Sequence, residues 1–272
     1  MLYKLHSEAT SEVRGAWLGI VAWALMFFLL APIFIIIPMS FSDSQYLAFP
    51  PEGWSLRWYR NFFGSPEWME SALVSLRVGL LTMVCATALG TAAAYSLNGT
   101  TSKKADFVRA VLTVPMIVPV VIIAIGVFYV FARVGMVNTI SGLVISHTVL
   151  AIPFVLLIVS AGLAQFDRTL ELAAINLGAS RLRAFFTITL PLIQRSIWAS
   201  ALIAFVTSLD EVVVSLFISF GEYSTLTRRM FSFLRDQIDP TIAAISTILI
   251  VATTTVVILG VVFADPHEGR ND

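Results

Sequence analysis

Charged residues are scarce in this chain. Asp, Glu, Lys and Arg make up only 12% of its 272 residues, whereas 58% of the residues are hydrophobic. A soluble domain carries about one-quarter charged residues, so the composition excludes an ordinary soluble fold and indicates a protein with several membrane spans. The 17 basic and 17 acidic residues give a formal net charge of zero, which offers no indication of nucleic-acid binding.

Cysteine, histidine and the common catalytic motifs are also rare or missing. Cys85 is the single cysteine, so neither a disulfide nor a cysteine-based metal site can form within one chain. The three histidines, His6, His147 and His267, are too far apart in sequence to indicate a metal site. The sequence contains no H-E-x-x-H and no G-x-S-x-G motif. We therefore expect no catalytic residue, no metal and no cofactor, and we expect that the chain is not an enzyme.

Long apolar segments are abundant. A membrane-spanning helix needs about 20 mainly apolar residues. Six segments reach this length: 16–39, 71–97, 107–132, 139–164, 192–219 and 241–264. The first is too long for a signal-peptide core, so we expect it to be retained as a span. Because lipid favours helices, we predict an all-α polytopic protein with a transmembrane domain over 16–264, an N-terminal segment 1–15 and a tail 265–272.

Lysine and arginine are distributed unequally between the two sides of the predicted membrane domain. Six spans put both termini and the loops 98–106 and 165–191 on one side, which then carries ten of the 17 basic residues. The other side carries six, and Arg77 lies just inside a span. Positive charge is enriched in cytoplasmic loops, so we predict that both termini and the loop 165–191 are cytoplasmic.

The loop over 167–191 is too regular for a flexible connector. Leu170, Ala173, Ala174 and Leu177 follow the i, i+3, i+4, i+7 spacing of one apolar helical face. Gly178 then suits the left-handed end of that helix. Ser180 is well placed to cap a second short helix. The pattern predicts a compact helix-turn-helix, which either docks on a partner or packs beneath its own membrane bundle.

One spacing in this loop is specific. The residues fit the pattern A-A-x3-G-x9-I-x-L-P, with Ala173, Ala174, Gly178, Ile188, Leu190 and Pro191 at the defined positions. This pattern resembles the EAA loop of ABC-importer permeases, whose coupling helix lies in a groove of a cytoplasmic ATPase. Leu172 stands where that family has glutamate, and Glu171 comes one place earlier. The resemblance implies ATPase coupling by these residues: Glu171, Ala173, Ala174, Gly178, Arg181, Arg183, Ile188, Leu190 and Pro191.

The resemblance covers nearly the whole chain. Four further segments look like the spermidine/putrescine branch of these permeases: 53–63, 146–156, 208–217 and 239–250. The resemblance implies the type I ABC-importer permease fold in a bacterial inner membrane and a pathway for polyamines or related amines. The implied partners are cytoplasmic ATP-binding subunits, a second permease subunit and a periplasmic solute-binding protein. The chain itself lacks the G-x4-G-K-[ST] phosphate loop, which agrees with ATP hydrolysis by another polypeptide.

Two adjacent carboxylates, Asp210 and Glu211, fall near the middle of the predicted fifth span. A charge there costs at least about 2.5 kcal/mol, so it needs compensation. Adjacent residues of a helix point about 100° apart, and at most one carboxylate can therefore face a central pathway. We favour Asp210 for an ion-pairing role towards a passing ammonium group. The alternative is a buried structural pair that bonds to Thr207, Ser208, His147 or the partner permease.

Arg77 and His147 complete the set of candidate pathway residues. Arg77 either extends towards the lipid headgroups or meets a carboxylate of the solute. The second option would favour an amino-acid-like solute such as 4-aminobutyrate or an opine. His147 is interpreted as a hydrogen-bonded packing residue or, in a proton-coupled secondary transporter, as part of a relay with Asp210 and Glu211. Such a transporter is the alternative from a different functional class.

Overall fold

The computed structural model describes the backbone of residues 2–236 and 239–264, with side chains from 17 to 236 and from 239 to 258. The predicted tail 265–272 and the side chains of His6 and of the N-terminal basic residues lie outside the described residues. Nearly all of the described chain is helical, and its only strand-like pairing is an isolated bridge between Ser42 and Trp54. The prediction of an all-α fold is confirmed.

The chain divides into two compact units. The first comprises Met1–Gly64 and Gln237–Leu249. It contains α1 (Leu2–Ser40), α2 (Arg57–Gly64) and the first part of α13 (Thr241–Ala264). Two long-range hydrogen bonds organise this unit: one joins the hydroxyl oxygens of Ser40 and Tyr59 at 2.7 Å, and in the other the Asn61 amide donates to Thr241 Oγ1 at 2.8 Å.

The second unit, Ser65–Asp236 with Ile250–Asp272, holds all the candidate site residues. Its longer helices are α3 (Pro66–Leu97), α4 (Lys103–Ile117), α5 (Val120–Val134), α6 (Ile140–Gln165) and α10 (Gln194–Asp210). Its shorter ones are α7 (Arg168–Asn176), α8 (Arg181–Ala184), α9 (Leu190–Leu192), α11 (Val213–Ile218) and α12 (Leu226–Asp236). The helices α3, α6 and α10 pack against one another, and α11 packs mainly against α5.

Small residues let these helices approach closely. A Cβ atom added to Gly90 of α3 would lie 2.6 Å from Val155 Cγ1 of α6, and one added to Gly162 of α6 would lie 2.2 Å from Ser196 Oγ of α10. Membrane helices associate through such close packing, because lipid provides no hydrophobic drive between them. The core of this unit therefore depends on glycine at the two contacts.

Within the described part of the chain, four helical segments are long and apolar enough to cross a membrane by themselves: Trp17–Ser40, Pro66–Leu97, Ile140–Gln165 and Thr241–Ile258. The count reaches six when each of two bent helix pairs is taken as one span. These pairs are Lys103–Ile117 with Val120–Val134, bent by 106°, and Arg181–Leu192 with Gln194–Asp210, bent by 78°. The polytopic character is thus confirmed.

Two predicted spans are not the continuous helices that we expected. The helix expected over 107–132 breaks at Val118, which is extended because it precedes Pro119 and clashes with the proline ring in a helical conformation. The prediction of a continuous helix over 192–219 is also wrong, because α10 ends at Asp210 and α11 begins at Val213. The apolar run continues through the first break, whereas the second lies at Asp210 and Glu211, whose charges interrupt the run without indicating the end of a helix.

Candidate coupling loop and transport pathway

The loop 167–191 begins with a capped helix. Asp167 Oδ1 accepts the backbone N–H of Thr169 at 2.9 Å, which caps α7. The same hydrogen bond holds the pKa of the Asp167 carboxyl below its ordinary value, because it stabilises the charged form. At the other end of α7, Gly178 has φ +97°, and Ala179 N–H donates to Ala174 O at 3.0 Å. The predicted left-handed glycine turn is therefore confirmed.

The second half of the loop is a helix of changing pitch. Ser180 Oγ accepts the N–H of Arg183 at 3.3 Å, as the predicted cap requires. After α8 the chain widens into a π-helical segment over Phe185–Thr189 before α9. Pro191 favours this widening, because in a regular α-helix its ring would collide with the carbonyl four residues earlier. The predicted helix-turn-helix is present, but the π-helical segment was not predicted.

The outward surface of the loop is apolar. Leu177, at the tip, is 90% exposed, and Leu172 and Leu182 are also largely exposed. Ala173 and Gly178 lie among them on the exposed surface, so backbone as well as side chain is accessible there. Arg181 and Arg183 are exposed beside this apolar surface. Contiguous exposed apolar residues with a charged rim are typical of a protein interaction site.

Glu171 faces the opposite way. Its side chain is buried at 7% exposure, and its two carboxylate oxygens accept hydrogen bonds from the Tyr95 hydroxyl and, at 2.8 Å, from Thr189 Oγ1. Tyr95 also contacts the Phe185 ring at a centroid distance of 4.6 Å. Sequence reasoning grouped Glu171 with the exposed loop residues, and it did not identify Tyr95 or Thr189. Tyr95 is 76 positions away, so no local pattern indicates the contact.

The two adjacent carboxylates lie at a helix break and not within a helix. Asp210 is the last residue of α10, and Glu211 is extended, with φ −75° and ψ 107°. Glu211 Oε1 accepts the backbone N–H of Val214 at 2.8 Å, so this carboxylate caps α11. The expected 100° helical separation of the two side chains is wrong for this reason. Asp210 is exposed, and Glu211 is half-buried.

His147 joins the two sides of this break. Its Nδ1 lies 2.8 Å from Ser208 Oγ of α10, and its Nε2 lies 3.2 Å from Ser215 Oγ of α11. The side chain is 1% exposed. Ser215 Oγ also lies 3.1 Å from the Glu211 carbonyl oxygen, so His147 and Glu211 belong to one hydrogen-bonded cluster. Ser208 was predicted as a partner of the adjacent carboxylates and not of His147, and Ser215 was not predicted, because its approach depends on the break.

Asn138 fixes the far end of α11. It has φ +58°, its N–H donates to Ile218 O at 2.7 Å, and its Oδ1 accepts the Phe220 N–H at 2.7 Å. Asparagine tolerates this left-handed conformation better than most residues, which is the one sequence signal available.

Arg77 is exposed on α3 beside exposed Leu76, and no carboxylate of the described residues forms an ion pair with it.

Comparisons with known proteins agree with these features. Residues 86–268 match the family model described as "Binding-protein-dependent transport system inner membrane component". The chain is 30% identical over 249 residues to the putrescine transport system permease protein PotI of Escherichia coli K12, covering 88% of this chain and 87% of that protein. It is also 30% identical over 248 residues to the spermidine/putrescine transport system permease protein PotC of the same strain, covering 91% and 94%.

Solved structures share the fold. A bacterial ABC transporter involved in the import of the acidic polysaccharide alginate superposes with a TM-score of 0.68 at 13% identity, covering 95% of this chain and 98% of that one. An amino acid ABC transporter crystallised with histidines gives a TM-score of 0.55 at 18% identity, covering 76% and 97%. The family match covers about two-thirds of the sequence, and the all-helical fold agrees with it. The chain belongs to the inner membrane components of binding-protein-dependent transport systems.

Proposed function

We propose that this chain is the permease subunit that forms the translocation pathway for a polyamine, putrescine or spermidine, in an ABC importer. The transport functions of the two relatives at 30% identity, PotI and PotC, support the solute class. The observation that carries the importer assignment is the loop 167–191, in which an exposed apolar tip follows a capped helix and a left-handed glycine. Such a rigid, exposed and apolar helix suits a groove on a soluble subunit.

The partners follow from the same proposal. Cytoplasmic ATP-binding subunits hydrolyse ATP, a second permease subunit completes the pathway, and a periplasmic binding protein delivers the solute. Both termini and the loop 167–191 face the cytoplasm of a bacterium, and the membrane domain extends over 16–264. The cytoplasmic segments are 1–15 and 265–272. The distribution of basic residues supports this orientation.

ATPase coupling is assigned to the loop. Ala173, Ala174 and Gly178 let the ATPase surface approach the backbone, because they carry small side chains or none. Arg181 and Arg183 pair with carboxylates at the rim of the groove. The residues Ile188, Leu190 and Pro191 connect the coupling helix to α10, so that a displacement at the ATPase reaches the membrane helices.

Asp210 is the carboxylate that meets the solute. It is exposed at the end of α10, and the backbone-capping role belongs to its neighbour Glu211. A carboxylate at a break in a span provides a transient ion pair for an ammonium group, and polar residues within spans commonly mark such pathways. His147 and Glu211 hold the break in place. The ring nitrogens of His147 bond to Ser208 and Ser215 and to neither carboxylate, so the structure does not favour a relay from His147 to Asp210 or Glu211.

Arg77 supports a second candidate solute. It is exposed on α3 without an ion pair among the described residues. A guanidinium on the pathway recognises a carboxylate, and a zwitterion such as 4-aminobutyrate carries both groups that Asp210 and Arg77 can bind. If Arg77 instead extends towards the lipid headgroups, it does not contact the solute, and the polyamine remains the proposed solute.

Uptake by the reconstituted importer tests these assignments. The complex with its ATPase and binding protein is placed in liposomes, and putrescine, spermidine, 4-aminobutyrate and an opine compete with one another. We expect ATP-dependent uptake of a polyamine, and Asp210→Asn should slow it while leaving binding-protein affinity unchanged. Uptake that persists without ATP but disappears with the proton gradient would refute the importer assignment. Preferred uptake of 4-aminobutyrate that is lost on Arg77→Gln would establish the second candidate.

A further inference from the structure

Glu171 is the one carboxylate of the coupling loop that turns inward. The side chain is almost fully buried, although Leu172 and Leu177 of the same turn region are exposed. Both of its oxygens are engaged, one by the Tyr95 hydroxyl and the other by Thr189 Oγ1. A buried carboxylate is tolerated only when such donors replace water, so these contacts are needed to keep the loop in this position.

The two donors belong to different structural elements. Tyr95 lies in the last turn of α3, a long helix of the core. Thr189 is itself fully buried and ends the π-helical segment that leads through α9 into α10. The Glu171 carboxylate therefore connects α7 to the end of α3 and to the segment that leads through α9 into α10. A second contact, from Arg168 Nη1 to Asn98 O at 3.4 Å, holds the start of α7 to the end of α3.

We propose that Glu171 is a positioning residue that transmits movement of α7 to α3 and α10 without contacting the ATPase. This proposal rests on the proposed function of the loop as an ATPase-coupling element. Separation of α7 from either helix would leave a charged group or its donor unbonded in a buried site, which is strongly unfavourable. The three segments therefore move together when the exposed tip at Leu177 is displaced. The tip binds the partner, and Glu171 carries the movement inward.

Binding of the ATPase subunit and transmission of its movement then depend on different residues of the loop. A variant at the tip, Leu177→Asp, should lose the ATPase subunit. Variants of the internal cluster should keep the ATPase subunit but lose stimulation of ATP hydrolysis by the putrescine-loaded binding protein. Glu171→Ala removes the acceptor, whereas Glu171→Gln keeps one acceptor oxygen. Tyr95→Phe keeps the ring but removes the donor.

The experiment uses the complete importer complex in lipid nanodiscs. The amount of co-purified ATPase subunit and the putrescine-dependent ATP hydrolysis are measured for each variant, with Tyr129→Phe as the control because Tyr129 is exposed on α5. We expect Glu171→Ala to retain the ATPase and to lose about tenfold in stimulation, since hydrogen bonds to a charged group are lost. Glu171→Gln should be intermediate, and Tyr95→Phe should add no further loss in the Glu171→Ala background.

Three outcomes would overturn the proposal. The first is normal stimulation in Glu171→Ala, and the second is loss of the ATPase subunit from it to the extent seen in Leu177→Asp. The third is an additive loss in the double variant, because the two side chains would then act independently. If Glu171→Ala does not assemble, Tyr95→Phe with Thr189→Val removes both donors and tests the same cluster. Failure of the unaltered complex to hydrolyse ATP would instead refute the proposed function.

Discussion

Gly178 is the position at which a single methyl group should change the coupling loop. Its φ of +97° is strained for any residue with a Cβ atom, yet a Cβ placed there meets no atom within 4 Å. The effect of Gly178→Ala is therefore conformational and not steric. Such a conformation costs an L-residue about 1–2 kcal/mol, which corresponds to a factor of roughly 5–30 in the population of the native turn.

The assay for this change is ATPase stimulation by the solute-loaded binding protein in the reconstituted complex. We expect Gly178→Ala to lower the ATPase stimulation by a factor of roughly 5–30, in line with the lower population of the native turn. Gly178→Val should lower the stimulation further, because β-branched residues are rarer still at positive φ. Gly126→Ala is the matched control: Gly126 lies in α5 without a positive φ, and its Cβ position is also open. Equal stimulation by the Gly178→Ala and Gly126→Ala complexes would refute the argument from backbone conformation.

Three further variants test the core and the helix break. His147→Ala should destabilise the permease by about 1–3 kcal/mol, because two buried serine hydroxyls each lose a hydrogen bond; an unchanged midpoint of thermal unfolding in detergent would contradict this. Glu211→Ala should lose about 1 kcal/mol with the cap of α11, whereas Glu211→Gln can still accept the Val214 N–H and should unfold close to the native temperature. Gly90→Leu should prevent assembly of α3 on α6 at Val155, while Gly126→Leu, made as its control, should still give a folded permease.

Local sequence patterns predicted the loop well. The left-handed Gly178 and the cap at Ser180 both depend on residues within a few positions of one another, and each is present as predicted. The partners of Glu171 and His147 could not be predicted in full. Tyr95 and Ser215 reach them through packing between helices distant in sequence, and such packing leaves no periodic signal in one sequence.

The breaks in the spans show a second limit of sequence reasoning. The break at Val118 follows from the restriction that Pro119 places on its predecessor. The break after Asp210 contains no proline or glycine, and two adjacent carboxylates do not by themselves indicate the end of a helix. It forms because Glu211 caps α11 and because Asn138 binds the end of that helix at Ile218 and Phe220.

This break distinguishes the two adjacent carboxylates, of which we propose Asp210 as the one that meets a solute. In a continuous helix, Asp210 and Glu211 would differ only in direction, and either could face the pathway. The capping bond to Val214 N–H instead commits Glu211 to the backbone, while Asp210 remains exposed at the end of α10. Removing the capping oxygen of Glu211 should therefore affect stability, whereas removing the charge of Asp210 should affect the transport rate. A slower uptake in Glu211→Gln with normal uptake in Asp210→Asn would reverse this assignment.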